Sequence, residues 1–262
     1  MSGADGGKVV VITGAAGGLG RAMAEIFLAR GWTVAALDRD AAALEAHAGR
    51  GRRGHDPYPV DVTRADVVDA VVNSVIATHG RIDIVINNAG ITQLGPFAEM
   101  SGSVLRKVMD VNFFGAVNVT RATLPALRQS RGSLVAMSSV AGFAPLVRRT
   151  AYAASKHAME GFFGSLRAEE RENGVHVLIA CPSFVNTNQG AGMLPDGTHR
   201  PGAADDTVGA MGADEAARVI VAAIDGRRDF VAVGRVAQVS WWIRRLSPRL
   251  YEHLMLRSIR KR

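Results

Sequence analysis

In the stretch TAYAASKHAMEG, Thr150 to Gly161, Tyr152 and Lys156 stand four residues apart in a chain that has only three tyrosines and four lysines. On a helix, positions i and i+4 share a face, so the phenol and the ammonium meet there. A free phenol ionises near pH ~10, too high for a base at neutrality, and an adjacent ammonium favours the phenolate. A tyrosine of that kind exchanges a proton with a hydroxyl or carbonyl oxygen. Ser139 directly follows the apolar run GSLVAMS upstream and is placed to hydrogen-bond the same oxygen, stabilising charge that develops on it. Ser138, its neighbour, is the rival for that role.

A second stretch, TGAAGGLG from Thr13 to Gly20, follows the β-branched run KVVVIT and opens a segment with apolar residues at helical spacing. Gly14, Gly18 and Gly20 let the backbone turn sharply. They bring a pyrophosphate close to a helix N-terminus, where free N–H groups and the macrodipole favour an anion. About 20 residues on, Asp38 ends the next apolar run, where a carboxylate accepts hydrogen bonds from an adenosine ribose. NAD is therefore favoured, since a carboxylate repels a 2′-phosphate. Arg39 follows immediately and offers that phosphate a guanidinium, so NADP stays an alternative. The segments VDV, with Asp61 and Val62, and NNAG, with Asn88, Ala89 and Gly90, close two further runs. They carry small and polar residues where open α/β sheets bind ligands.

These residues need a scaffold that alternates strands and helices. The apolar runs KVVVIT, TVAALD, DPYPV, IDIVIN, GSLVAMSS, VHVLIACPS and DFVAVG read as seven strands, separated by helical patterns. The helices fall at Arg64 to His79, Ser101 to about Gln129, a segment through Tyr152 to Asn173, and Ala213 to Asp225. Such alternation implies one doubly wound α/β domain, a parallel sheet with helices on both faces, over residues 1–234. Two segments interrupt the rhythm. Residues 188–212 are rich in Gly, Pro and Asp and long for a connection inside a compact domain, where such loops are usually functional lids or disordered. Residues 235–262 interleave Trp, Leu, Ile and Met with arginines, which predicts short amphipathic helices broken near Pro248.

With 262 residues and 48% hydrophobic content the chain can bury a sizeable core. Its net charge of +7 sits in the tail: Arg235 to Arg262 holds eight basic residues and one acid, and the body is neutral. That distribution suits a localised contact and argues against a nucleic-acid-binding domain. Packing over the active site or a sister subunit is the favoured reading of the tail, with a membrane surface the alternative. One cysteine, Cys181, excludes an intrachain disulfide framework and reads as a small apolar filler. The histidines show no zinc-binding spacing, so no metal is expected. The N-terminus lacks a signal-peptide pattern and no long apolar run appears, so a reducing cytoplasm is the expected setting.

The TGxxxGxG loop, NNAG, a Ser thirteen residues before a Tyr, and YxxxK together resemble the short-chain dehydrogenase/reductase family in its single-domain branch. The match spans about Lys8 to Gly234. The resemblance implies a Rossmann-like fold, an NAD(P)-dependent interconversion of a secondary alcohol and a ketone, and a homodimer or homotetramer. It selects Ser139 over Ser138, gives Leu19 to the cofactor loop, and lets Lys156 also hold the nicotinamide ribose beside Tyr152. Asn112, in VMDVNFFG, would complete a tetrad by ordering a water next to the lysine. In CPSFVNT it assigns Pro182, Val185 and Thr187 to the nicotinamide. The family usually has glycine where Ser183 stands; a φ > 0 turn would cost a serine about 1 kcal/mol or more, so the local backbone and the nicotinamide contacts are expected to differ slightly. The segment FAPLVRRT would contact substrate, with Arg148 and Arg149 read as a solvated loop and the substrate skeleton as fairly apolar. A dinucleotide-binding regulatory or scaffolding protein without turnover is the alternative, which an activated phenol disfavours.

Overall fold

The computed structural model describes residues 7–48, 53–187, 194, 196–199, 201–202 and 211–260, with side chains left out at 48 and 258–260. Its first strand, β1 (Val9–Thr13), is wholly buried, and its side chains alternate between the two faces of the sheet. Val10 and Ile12 pack with α1 (Gly18–Ala29), through Met23 and Phe27, and with α8 (Ala213–Asp225), through Ile220. Val9 and Val11 face the other core, with α3 (Ala65–His79), α5 (Gly115–Ser130) and α7 (Thr150–Glu169), through Val72, Leu127 and Phe163. A strand buried on both faces reads as the unbroken VVVIT of this segment.

The sheet adds β2 (Thr33–Asp38), β3 (His55–Pro59), β4 (Ile84–Asn87), β5 (Ser133–Met137), β6 (His176–Pro182) and β9 (Phe230–Val233). Its seven strands run parallel in the order β3-β2-β1-β4-β5-β6-β9. The direction of winding reverses between β1 and β4, and the crevice beyond their carboxyl ends is where such sheets take ligands. The expected α/β sheet of about seven strands is the observed one.

Further elements complete the chain between these. They are α2 (Ala41–Ala48), α4 (Gly102–Met109), a π turn (Asp110–Phe114), α6 (Val140–Phe143) and the short pair β7 (Val185–Asn186) and β8 (Met211–Gly212). The tail forms α9 (Arg235–Leu246) and α10 (Pro248–Arg260), parted at Ser247. The proline therefore starts the second helix, a position where its missing N–H costs nothing. Ala237 and Tyr251 are buried against Val140 and Ala144, so the tail packs on α6. The helix through Tyr152 ends at Glu169, four residues before the expected Asn173. There Glu170 accepts from Arg128 and Asn173, and Gly174 takes φ +76 to turn the chain into β6.

Candidate active site

The glycine loop is built by interlocked main-chain contacts. Thr13 Oγ1 accepts from the N–H groups of Asn88 and Ala89, both at 2.9 Å, and Asn88 Nδ2 donates to the Thr13 and Gly14 carbonyls at 2.9 and 3.2 Å. These bonds tie the end of β1 to the end of β4. Gly14 and Gly18 adopt φ +66 and +53, conformations that disfavour any side chain. Gly20 is needed for space: a Cβ there would run into the Gly14 carbonyl oxygen and lie 2.7 Å from Asn88 Nδ2. Helix α1 thus presses its first turn against the loop.

A cleft of about 1210 Å³ opens above these strand ends. Gly14, Gly18 and Leu19 line it at the loop, and Asp38, Arg39, Asp61 and Val62 line the far end. Asp38 accepts from the Ala16 and Asp40 N–H groups at 3.0 and 3.1 Å, which fixes its carboxylate at the lip. Asn88, Ala89 and Gly90 form the middle of the wall, with Pro182, Val185 and Thr187 opposite. Gly20 lies beneath the loop and does not line the cleft.

Ser139, Tyr152 and Lys156 converge on the other end of the same cleft. On α7 the buried positions Tyr152, Ser155, Lys156, Met159 and Phe163 recur at helical spacing, so the reactive pair rides on the face that anchors the helix. The Lys156 ammonium lies 5.6 Å from the Tyr152 ring centre and donates to the Met137 carbonyl at 2.7 Å. Burial lowers its pKa from 10.5 to about 8. Ser139 caps α6, its Oγ accepting from the Ala141 N–H at 3.2 Å, a bond that does not use the hydroxyl proton. Ser138 Oγ instead donates to Glu160 Oε1 at 3.0 Å, which commits the rival hydroxyl elsewhere.

Asn112 sits behind the cleft wall, fully buried in the π turn, a helical defect frequent at functional sites. Its Oδ1 accepts from the Ile91 N–H at 2.8 Å, and its Nδ2 donates to the Ile91 carbonyl and to Ser155 Oγ, both at 2.9 Å. The side chain holds the segment after NNAG in place. A Cβ on Gly90 would lie 3.2 Å from Asn112 Oδ1 and 3.7 Å from Lys156 Nζ, so this glycine separates the two.

Only the solvated reading of Arg149 needs correction. Ser183 is not strained: the described non-glycine residues with positive φ are Arg131, Arg148 and Arg227. Ser183 instead continues the ladder, its N–H donating to the Val233 carbonyl at 3.1 Å, beside Gly234 with φ +91. Arg149 is buried, not solvated, and donates to Thr92 Oγ1 at 3.2 Å, whereas Arg148 is exposed. The tail packs over the cleft, in keeping with the favoured reading of it: Arg235, Val236, Val239, Ile243, Leu254 and Met255 are among the lining residues.

Of the expected lid at 188–212, Met193, Asp205 and Asp206 fall outside the described residues. Thr92 and His199 form a reciprocal backbone bridge, and Lys107 pairs with Asp196, whose carboxyl is held well below the usual range by that contact. Thr187 Oγ1 donates to the Gly202 carbonyl at 3.0 Å. Cys181 is buried and donates to Glu160 Oε1 at 3.1 Å, and burial, then Glu160, push its thiol pKa well up. Glu160 was invisible in the sequence, since an acid in MEG on a helix reads as surface. Among the described residues no cluster of three metal-ligating side chains occurs.

A glycine loop clasped between strands at a winding reversal, opening onto a tyrosine–lysine–serine group, defines a dinucleotide-dependent oxidoreductase of the Rossmann class. The chain belongs to the short chain dehydrogenase family, whose model matches residues 8–196. Dehydrogenase/reductase SDR family member 7B of Bos taurus is 36% identical, over 97% of this chain and 82% of that one. The Danio rerio protein of the same name is 35% identical, over 97% and 86%. A short-chain dehydrogenase from Streptomyces avermitilis superposes with TM-score 0.82 at 30% identity, covering 97% of this chain and 99% of that one. A Burkholderia cenocepacia short chain dehydrogenase, solved in complex with NADP, gives TM-score 0.83 at 26% identity, covering 95% and 98%. The protein is an NAD(P)-dependent oxidoreductase.

Proposed function

We propose that the protein interconverts a secondary alcohol and a ketone on a fairly apolar substrate, with Tyr152 as the acid/base. The observation that carries this is the meeting of Ser139, Tyr152 and Lys156 at the end of a cleft whose outer walls are Val236, Val239, Ile243 and Leu254. The cradle fits a nicotinamide dinucleotide: positive-φ Gly14 and Gly18 and the side-chain-free Gly20 leave backbone, not side chains, facing the phosphates. When bound, that cofactor supplies or accepts the hydride.

In the reducing direction the carbonyl oxygen accepts a hydrogen bond from Ser139, and the Tyr152 hydroxyl gives it a proton. The Lys156 ammonium steadies the phenolate left behind, and in the oxidising direction the same phenolate takes the proton back. Burial lowers the lysine's pKa to about 8, so it still carries its proton near neutrality, and the phenolate's negative charge favours keeping it. Asn112 is a positioning residue that fixes Ile91 beside NNAG. Ordering of a water beside Lys156 belongs with this role.

NAD is the preferred cofactor on Asp38, with NADP through Arg39 the alternative. A carboxylate at Asp38 disfavours a 2′-phosphate nearby, although its two N–H partners reduce that repulsion. The function is tested by following cofactor absorbance with apolar secondary alcohols and ketones, using NAD(H) and NADP(H) in parallel. Turnover of an apolar ketone is expected, with tighter NAD(H) binding. Dinucleotide binding with no turnover across the series would instead establish the regulatory reading. We also infer a cytoplasmic homodimer or homotetramer, which light scattering and fractionation would check.

A further inference from the structure

The apolar wall of the cleft does not stop at its mouth. On α9, Val236, Val239, Ile243 and Leu246 recur at i, i+3, i+7 and i+10 and so form one stripe. The first three line the cleft, and Leu246 is 81% exposed beyond it. On α10, Leu254 lines the cleft and Leu250, one turn earlier, is exposed. The two stripes run outward to the corner at Ser247, flanked by Trp242, which is 60% exposed. Exposed Leu, Val and Trp in one continuous strip mark a surface that meets something apolar.

The charges around the strip say what that partner is. Arg245, Arg249 and Arg257 are exposed on these helices, Arg245 with its guanidinium 4.3 Å from the Trp241 ring centre, and Glu252 is the single acid in the tail. Arginines and tryptophan bordering an apolar strip match an anionic lipid surface, with the strip among the acyl chains and the cations at headgroups. Among the described residues no helix is long and apolar enough to cross a membrane, so the contact is superficial. The break at Ser247 gives the strip a projecting corner instead of a flat face, which suits shallow insertion.

We propose that the α9–α10 corner docks on an anionic bilayer and that the apolar stripe leads a lipid-soluble substrate from the bilayer into the cleft. This rests on the apolar-substrate reading above, yet docking is measured without turnover. Ketone reduction without vesicle binding defeats only the docking proposal. Vesicle binding without reduction of any ketone defeats the functional reading and with it the substrate route, and leaves the docking standing.

The experiment sediments the full chain with vesicles of phosphatidylcholine, alone or mixed with phosphatidylglycerol, at low and high salt. Pelleting with the anionic vesicles at low salt is expected, weakened by high salt. Leu246→Asp with Leu250→Asp should abolish it, and Arg249→Ala and Arg257→Ala should each weaken it about fivefold. All four side chains lie outside the cleft lining, so reduction of a water-soluble ketone should be unchanged and reports on folding. Protein that stays in the supernatant with anionic vesicles at low salt overturns the proposal. So does equal pelleting of wild type and the double leucine variant. If light scattering shows that variant dissociating an oligomer while vesicles bind neither chain, the corner is an interface between copies instead.

Discussion

Replacing Lys156 by methionine removes a titration that the fold has displaced, and the effect on stability has a definite sign. Below about pH 8 the folded and unfolded chains both hold the lysine proton, and the folded chain carries the full cost of a buried ammonium. Between about 8 and the ordinary 10.5 the folded lysine releases its proton first. The unfolded chain then binds more protons, so the lysine's contribution to stability rises with pH. At about 1.4 kcal/mol per pH unit, the drop from 10.5 to about 8 amounts to about 3 kcal/mol over that window. Methionine is of similar length and does not titrate. The Cys181 thiol, raised by burial, acts oppositely above its ordinary value of 9.0, but it is present in both chains and largely cancels in the difference. Urea unfolding of wild type and Lys156→Met, between about pH 7 and about pH 10, measures that difference. The wild type should gain on the variant as pH rises. A difference that stays flat would show that the ammonium is hydrated in the folded chain and refute the reasoning.

Two other substitutions probe the frame around the site. Gly20→Ala sets a Cβ against the Gly14 carbonyl, and backbone cannot swing aside as a side chain does. A loss of about 1–3 kcal/mol is expected, with weaker dinucleotide binding, read by thermal melting and cofactor titration. Glu160→Ala leaves the Ser138 hydroxyl and the Cys181 thiol without their shared acceptor, costing about 1–3 kcal/mol. Glu160→Gln keeps an acceptor oxygen and should recover most of that in urea unfolding.

Much of the fold was legible because the central runs that form β1, β5 and β6 are buried on both faces and α1, α7 and α8 each show a buried stripe. The unbroken VVVIT, followed by TGAAGGLG and then Met23 and Phe27 at helical spacing, places the cofactor cradle without any tertiary information. Tyr152 and Lys156 were legible for the same reason, since one helix carries both. Long-range partners were hidden. Nothing local shows that Asn112 bonds Ile91, that Glu160 gathers Ser138 and Cys181, or that Arg149 is buried against Thr92. A serine in place of the family's glycine pointed to a different local backbone, and Ser183 takes no positive φ and extends the β6–β9 ladder. The tail's arginines and tryptophans suggested a contact. Only packing of Ala237 and Tyr251 on α6 showed that the same helices wall the cleft.

The central claim is that Tyr152 moves the proton in a site assembled for hydride transfer. Tyr152→Phe tests it most directly, with cofactor affinity by fluorescence titration and turnover of an accepted ketone measured on the same preparation. Phenylalanine keeps the ring against Lys156 and removes only the hydroxyl. Cofactor affinity should stay within about twofold while turnover falls by about 10²–10⁴. Unchanged turnover would contradict the account.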